Sequence, residues 1–139
     1  MRFILYLSSL LVFLAAPAVA QNAMPACSGE LVIVRLSTIK PTGTMKGFMD
    51  AVAAHQAWYR NNGVMDDEIV AARIVVKDEK TGANKYSDTE VLTYHFNPPG
   101  GQRTPHRGDA AWNSYVKMYN DNADITKEYL TCMPKHEKM

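Results

Sequence analysis

The stretch EIVAARIVVKDEKTGANKYSDTEVLTYHF, residues 68–96, decides the fold. Its first part, residues 68–77, is dominated by β-branched side chains, which suit a pleated, half-buried strand. Its last part, TEVLTYHF at 89–96, is a second strand of the same kind. Between them Asp78 to Asp88 is polar and contains Thr81-Gly82, a turn signal. The two strands therefore form a long hairpin.

Working outward, ELVIVRLSTI at 30–39 reads as an earlier strand. Lys40-Pro41-Thr42-Gly43 breaks it, and Thr44 is placed to cap a helix. Met45, Phe48, Val52, His55 and Tyr59 follow at spacings of three and four, one face of that helix. Asn61-Asn62-Gly63 ends it, with Gly63 suited to a left-handed cap. Downstream, NPPGGQRTPHRG at 97–108 is an irregular loop. Asp109 caps a second helix with an apolar stripe of Trp112, Tyr115, Val116 and Tyr119. Residues 128–133, EYLTCM, fit either a further strand or a helical turn. The order βαββα, completed by a last strand, is that of a ferredoxin-like α+β sandwich. That βαββαβ fold has a four-stranded antiparallel sheet in the order 4-1-3-2, with two helices on one face.

Residues 1–20, MRFILYLSSLLVFLAAPAVA, have the form of a cleaved signal peptide. Arg2 precedes an apolar run, and Ala18-Val19-Ala20 is a small-residue cleavage site. The run is short for a membrane anchor, and no basic cluster follows it. A periplasmic or secreted single domain, residues 21–139, is expected, with no membrane span after cleavage. Removing Arg2 leaves 14 Lys+Arg from 15, against 14 Asp+Glu, so the mature chain is close to neutral. Nucleic acid as a partner is disfavoured, because phosphate binding needs a basic surplus.

Cys27 and Cys132 make an even pair in an oxidising compartment, which favours an internal disulfide. Two free thiols or an intermolecular bond are the alternatives. In the 4-1-3-2 topology the end of the last strand lies beside the start of the first. Cys132 then comes close to Cys27. Closing a loop of about 100 residues is worth roughly 4–5 kcal/mol in the chain-entropy picture.

Strand phase gives the candidate site. Val32, Val34 and Leu36 share one face of the first strand; Val70, Ala72, Ile74 and Val76 one face of the second; Leu92, Tyr94 and Phe96 one face of the third. If these uninterrupted apolar faces meet the helices, Arg35, Arg73, Thr93 and His95 share the open face, with His95 between the arginines. Such a cluster suits a small organic anion, such as a carboxylate or an enolate-like ligand. The competing reading is a wet sheet face with the arginines paired to acids such as Glu68 or Glu90.

His55, on the apolar stripe, is either a hydrogen-bonded core residue or a general base. On the open-face assignment it points away from His95. The loop carries Arg103, His106 and Arg107 near the start of the second helix, as a lid or only as a connector. His55, His95, His106 and His136 show no metal-binding spacing, and no haem-attachment or other cofactor motif is present. No metal and no cofactor are expected.

The strand–helix opening, Trp58-Tyr59 late in the first helix and the hairpin ending in Thr93-Tyr94-His95-Phe96 resemble the dimeric α/β-barrel superfamily. The resemblance covers most of the mature chain at the level of pattern. It implies a homodimer whose paired sheets enclose a ligand pocket. Three functions are open. The leading one is a non-catalytic exported domain that binds a small organic anion or a protein partner. Another is a cofactor-free isomerase, cyclase or monooxygenase using His95 with Arg35 and Arg73. The third is a structural envelope protein without a pocket.

Overall fold

A computed structural model of the chain describes residues 26–99 and 106–135. The signal-peptide reading, Arg103 and His136 lie outside the described residues. The elements run β1 (Glu30–Ile39), α1 (Met45–Asn61), β2 (Glu68–Lys77), β3 (Asn84–Phe96), α2 (Ala110–Asn122) and β4 (Ala123–Met133). The four strands form one antiparallel sheet in the order β2-β3-β1-β4. This is the ferredoxin-like βαββαβ arrangement expected from the sequence.

Local chemistry sets the element ends. The Thr44 hydroxyl accepts from Gly47 N at 2.9 Å and caps α1. Gly63, at φ 78°, ends that helix in the left-handed region, where a Cβ would be strained. The Asp109 carboxylate accepts from Trp112 N at 2.7 Å to cap α2, and also from Trp58 Nε1 at 3.2 Å, tying the two helices together. In the β2–β3 turn, Asp78 Oδ1 accepts from Lys80 N and Thr81 N, both at 3.0 Å.

Two boundaries differ from the sequence reading. β3 starts at Asn84 rather than 89, because Asn84, Lys85 and Tyr86 pair with Lys77, Val76 and Val75 past a register shift. β4 starts at Ala123, directly after α2, so the ambiguous segment is the end of an eleven-residue strand. The Cys27–Cys132 disulfide is formed, with 5.6 Å between Cα atoms, and closes the chain ends as the topology requires.

The assignment of sheet faces is reversed. Both helices pack on the face that carries Ile69, Ala71 and Val91, where Phe48 and Val52 of α1 form one core cluster and Trp58, Tyr59 and Tyr115 another. Strand register puts Arg35 opposite Thr93, Ile33 opposite His95, and Arg73 opposite Val91 on this same face. Thr93 and His95 are buried, not open to solvent. The more uniformly apolar residues, Val34, Leu36, Val70, Leu92 and Tyr94, lie on the helix-free face. The physical reason is volume. Large aromatic side chains from the helices fill the space above the sheet, so the strands supply small and polar residues beneath them.

Candidate functional site

The helices do not cover the sheet evenly. α2 runs straight into β4 and leaves the helix-side residues Ile125 and Leu130 of that strand 58% and 53% exposed. Between the aromatic layer of the helices and the β1–β3 strands lies a cavity of about 420 Å³. Arg35 and Ser37 of β1 and Thr93 and His95 of β3 form its floor. His55 and Tyr59 of α1 form one wall, and Trp112, Tyr115 and Tyr119 of α2 the other. Arg107, just before α2, also borders it, with its guanidinium 4.7 Å above the Trp112 ring.

His55 sits at the centre of the aromatic layer. Its ring stacks on Tyr115 at 4.4 Å and 15°, and lies 5.0 Å from Tyr59. Its Nδ1 is 3.5 Å from the Tyr119 hydroxyl. The His55 and His95 rings are 5.6 Å apart, edge to face. The expectation that these two histidines point to opposite sides of the sheet is thus overturned, for the same reason that the faces were exchanged.

Behind His95 stands Asp67, a carboxylate with 0% exposure. Its Oδ2 is 3.5 Å from His95 Nε2. Its Oδ1 accepts from Arg60 Nη1 at 3.1 Å, and Arg60 Nη2 donates to the Asp67 carbonyl at 2.6 Å. Sequence reading did not single out Asp67. It sits in a short polar connection, Met65-Asp66-Asp67, that looks like any solvated loop. Its nearness to Arg60 at the end of α1 was the one available signal.

Burial sets the charge states. It pushes the His55 pKa down to about 3, helped by the neighbouring His95, Arg35 and Arg107. His95 is pushed down to about 4 by burial and then by Arg35. Both imidazoles are neutral at pH 7. Burial raises the Asp67 carboxyl, against the opposing pull of Arg60. Tyr59, Tyr115 and Tyr119 are raised as well, by burial first, and stay protonated. Among the described residues lining the cavity, the formal positive charges are therefore the guanidiniums of Arg35 and Arg107.

Arg35 is partly engaged. Its Nε donates to Glu128 Oε2 at 2.5 Å, across the β1–β4 pair. The Glu128 side chain is 52% exposed, so solvent weakens this pair. A guanidinium carries five N–H donors, and Nε is one of them. Arg73 does not join the cavity. It donates to the Ser87 carbonyl at 3.0 Å, lies 3.7 Å from Asp88 and covers the Tyr86 ring. The site therefore brings together Arg35, Thr93, His95 and His55 with Arg107 of the loop, and leaves Arg73 out. His106, in the turn before Gly108, is exposed. Among the described residues, no group of three His, Cys, Asp or Glu is placed to hold a metal, and no helix is long and apolar enough to cross a membrane.

No family model matches the chain, and no curated protein matches it. A solved structure similar to it is a phage SAM lyase in complex with S-methyl-5'-thioadenosine, at 15% identity, 81% of this chain, 97% of that chain and a TM-score of 0.30. The likeness is a weak one at the level of the fold.

Proposed function

We propose that this protein is an exported domain that binds a small organic anion with an apolar, ring-sized body. The observation that carries this reading is the aromatic-walled cavity with Arg35 on its floor and Arg107 at its border. Aromatic walls supply contact area, and a guanidinium fork matches a carboxylate. The cavity volume falls within the range of small-molecule sites, roughly 300–1,000 Å³. Titration calorimetry with benzoate, phenylacetate and acetate tests it. The aromatic acids bind and acetate does not, and Arg35→Gln weakens binding tenfold or more. Equal binding by wild type and Arg35→Gln contradicts it.

A second reading is favoured by the Asp67–His95 pair. Asp67 Oδ2 and His95 Nε2, 3.5 Å apart with no hydrogen bond between them, are placed to close into the carboxylate–imidazole contact by which acid–base catalysts hold their tautomer. On this reading the protein is a cofactor-free isomerase, cyclase or monooxygenase with His95 as acid and base. Turnover separates the two: an enzyme converts its ligand and loses that turnover in His95→Gln, whereas a binder returns the ligand unchanged in wild type and variant alike.

The disulfide and the leader-like first 20 residues support a periplasmic or secreted location. The helix-free sheet face supports a homodimer, since Val70 and Tyr129 there are 40% and 54% exposed beside Val34, Leu36 and Tyr94. Light scattering of the mature protein tests this, and a monomer at high micromolar concentration contradicts it.

A further inference from the structure

We propose that the cavity takes up a proton together with its anion, and that the proton resides on the His55–His95 pair. This rests on the anion-binding reading and adds how that site is regulated.

The geometry of the cluster carries the argument. Two imidazoles lie 5.6 Å apart on one cavity. The groups that face them come from every element around it. Tyr59 belongs to α1, Arg35 to β1, and Tyr115 and Tyr119 to α2. Arg107 precedes α2, and Asp67 precedes β2. Of these only Asp67 is acidic, and it is shared with Arg60 at 3.1 Å. Among the described acids nearby, Glu128 is engaged by Arg35, Asp124 by Lys40 at 3.1 Å, and Asp109 by Trp58 Nε1 and Trp112 N. Without an anion, an imidazolium in the cavity meets the guanidiniums of Arg35 and Arg107, and the acid described against it is Asp67, whose Oδ2 lies 3.5 Å from His95 Nε2 but whose ionisation burial itself opposes. The empty cavity holds both rings neutral, in line with their lowered pKa values.

An anion reverses this balance. A carboxylate about 4 Å from an imidazolium, at an effective dielectric of about 20, favours the protonated ring by about three pH units. That shift is enough to bring His95, the less depressed of the two, from about 4 to near neutrality. The second imidazole stays neutral, because two imidazoliums at this separation repel each other. The cavity then takes up between zero and one proton per anion. Linkage makes affinity rise as pH falls, by up to tenfold per pH unit while a full proton is bound.

The test uses the mature, oxidised protein with benzoate. Calorimetry at pH 6 in two buffers of different ionisation enthalpy reads the protons taken up. A positive uptake of up to one proton, with the dissociation constant falling several-fold from pH 7 to pH 5.5, is the expected result. His95→Gln and His55→Gln are each expected to reduce that uptake. Since either variant risks misfolding, the imidazole resonances of the wild-type protein give a second readout: benzoate raises one histidine pKa by at least one unit. Binding with no proton uptake and no pKa change overturns the proton coupling and leaves the anion site standing. Absence of benzoate binding overturns both.

Discussion

Asp67 Oδ2 lies 3.5 Å from His95 Nε2, while the same carboxylate is held by Arg60 at 3.1 Å from its other oxygen. A fully buried acid thus joins the end of α1 to the centre of the sheet. It is poised between a guanidinium and an imidazole. Burial disfavours the charged form of each, raising the Asp67 carboxyl and lowering the His95 imidazole, so both are driven toward their neutral forms by desolvation.

Removing this carboxylate is expected to be costly. Asp67→Ala takes the carboxylate from Arg60, which keeps the Val64 carbonyl at 3.0 Å and its other backbone acceptor, and leaves His95 Nε2 without its acid neighbour, so stability falls by about 2–4 kcal/mol. Asp67→Asn keeps an acceptor for Arg60 and costs less, about 1–2 kcal/mol. Urea denaturation of both variants checks the order.

The histidines make the fold acid-sensitive. Their folded pKa values, about 3 and about 4, lie below the ordinary 6.5. The unfolded chain therefore binds protons that the folded chain refuses. Their stability contribution is complete above pH 6.5 and is lost as pH falls toward 4. Each histidine contributes a slope of about 1.4 kcal/mol per pH unit within that window. Asp67 acts in the opposite sense: its raised pKa costs stability at higher pH, and that cost lifts as pH falls through its folded value. The net expectation is a Tm that drops between pH 6.5 and pH 4, less steeply in His95→Gln. A Tm that is flat across this range contradicts the neutral-imidazole assignment.

The disulfide spans 105 residues of sequence and ties the N-terminal side of β1 to the end of β4. Replacing both cysteines by serine is expected to cost about 2–5 kcal/mol, read as a lower urea midpoint. β4 is an edge strand, so its last residues fray first. Amide exchange at Leu130–Met133 rises more than at β3.

Gly43 and Gly47 hold the junction of α1, α2 and β4. A Cβ at Gly43 meets the Asn122 carbonyl oxygen at 2.3 Å, and one at Gly47 meets the Asn122 side chain at 2.2 Å. The Asn122 side chain also accepts from Thr44 N at 2.9 Å. Gly43→Ala, against backbone, is expected to cost about 1–3 kcal/mol. Gly47→Ala costs less, because a side chain yields more readily, but it releases the Asn122 contact. Thermal denaturation of the two variants checks this order.

Much of the fold was legible because local signals agreed with one another. Thr44, Gly63 and Asp109 mark helix ends by their chemistry, and the β-branched runs at 30–39 and 68–77 mark strands. The disulfide followed from the even cysteine count and the expected oxidising compartment, and the strand order agreed with it. The sheet face was not legible. Strand phase groups Arg35, Thr93 and His95 correctly on one face, but it does not say which face the helices cover. The rule that the more apolar face is the inner one fails here. Tyr59, Trp58 and Tyr115 bring the apolar volume from the helices, and the floor beneath them is Thr93, Ser37 and His95. The partnership of His55 with His95 was lost through the same inversion. Arg73 was lost for another reason: it shares the face but lies two residues farther along β2 than Ala71, beyond the cavity, where Asp88 and Tyr86 hold it.

The most direct test of the central claim is benzoate titration of three proteins: wild type, Arg35→Gln and Arg73→Gln. The cavity account predicts that wild type and Arg73→Gln bind alike, because Arg73 lies outside the cavity, and that Arg35→Gln binds at least tenfold more weakly. Equal loss in both variants, or no dependence on Arg35, contradicts it.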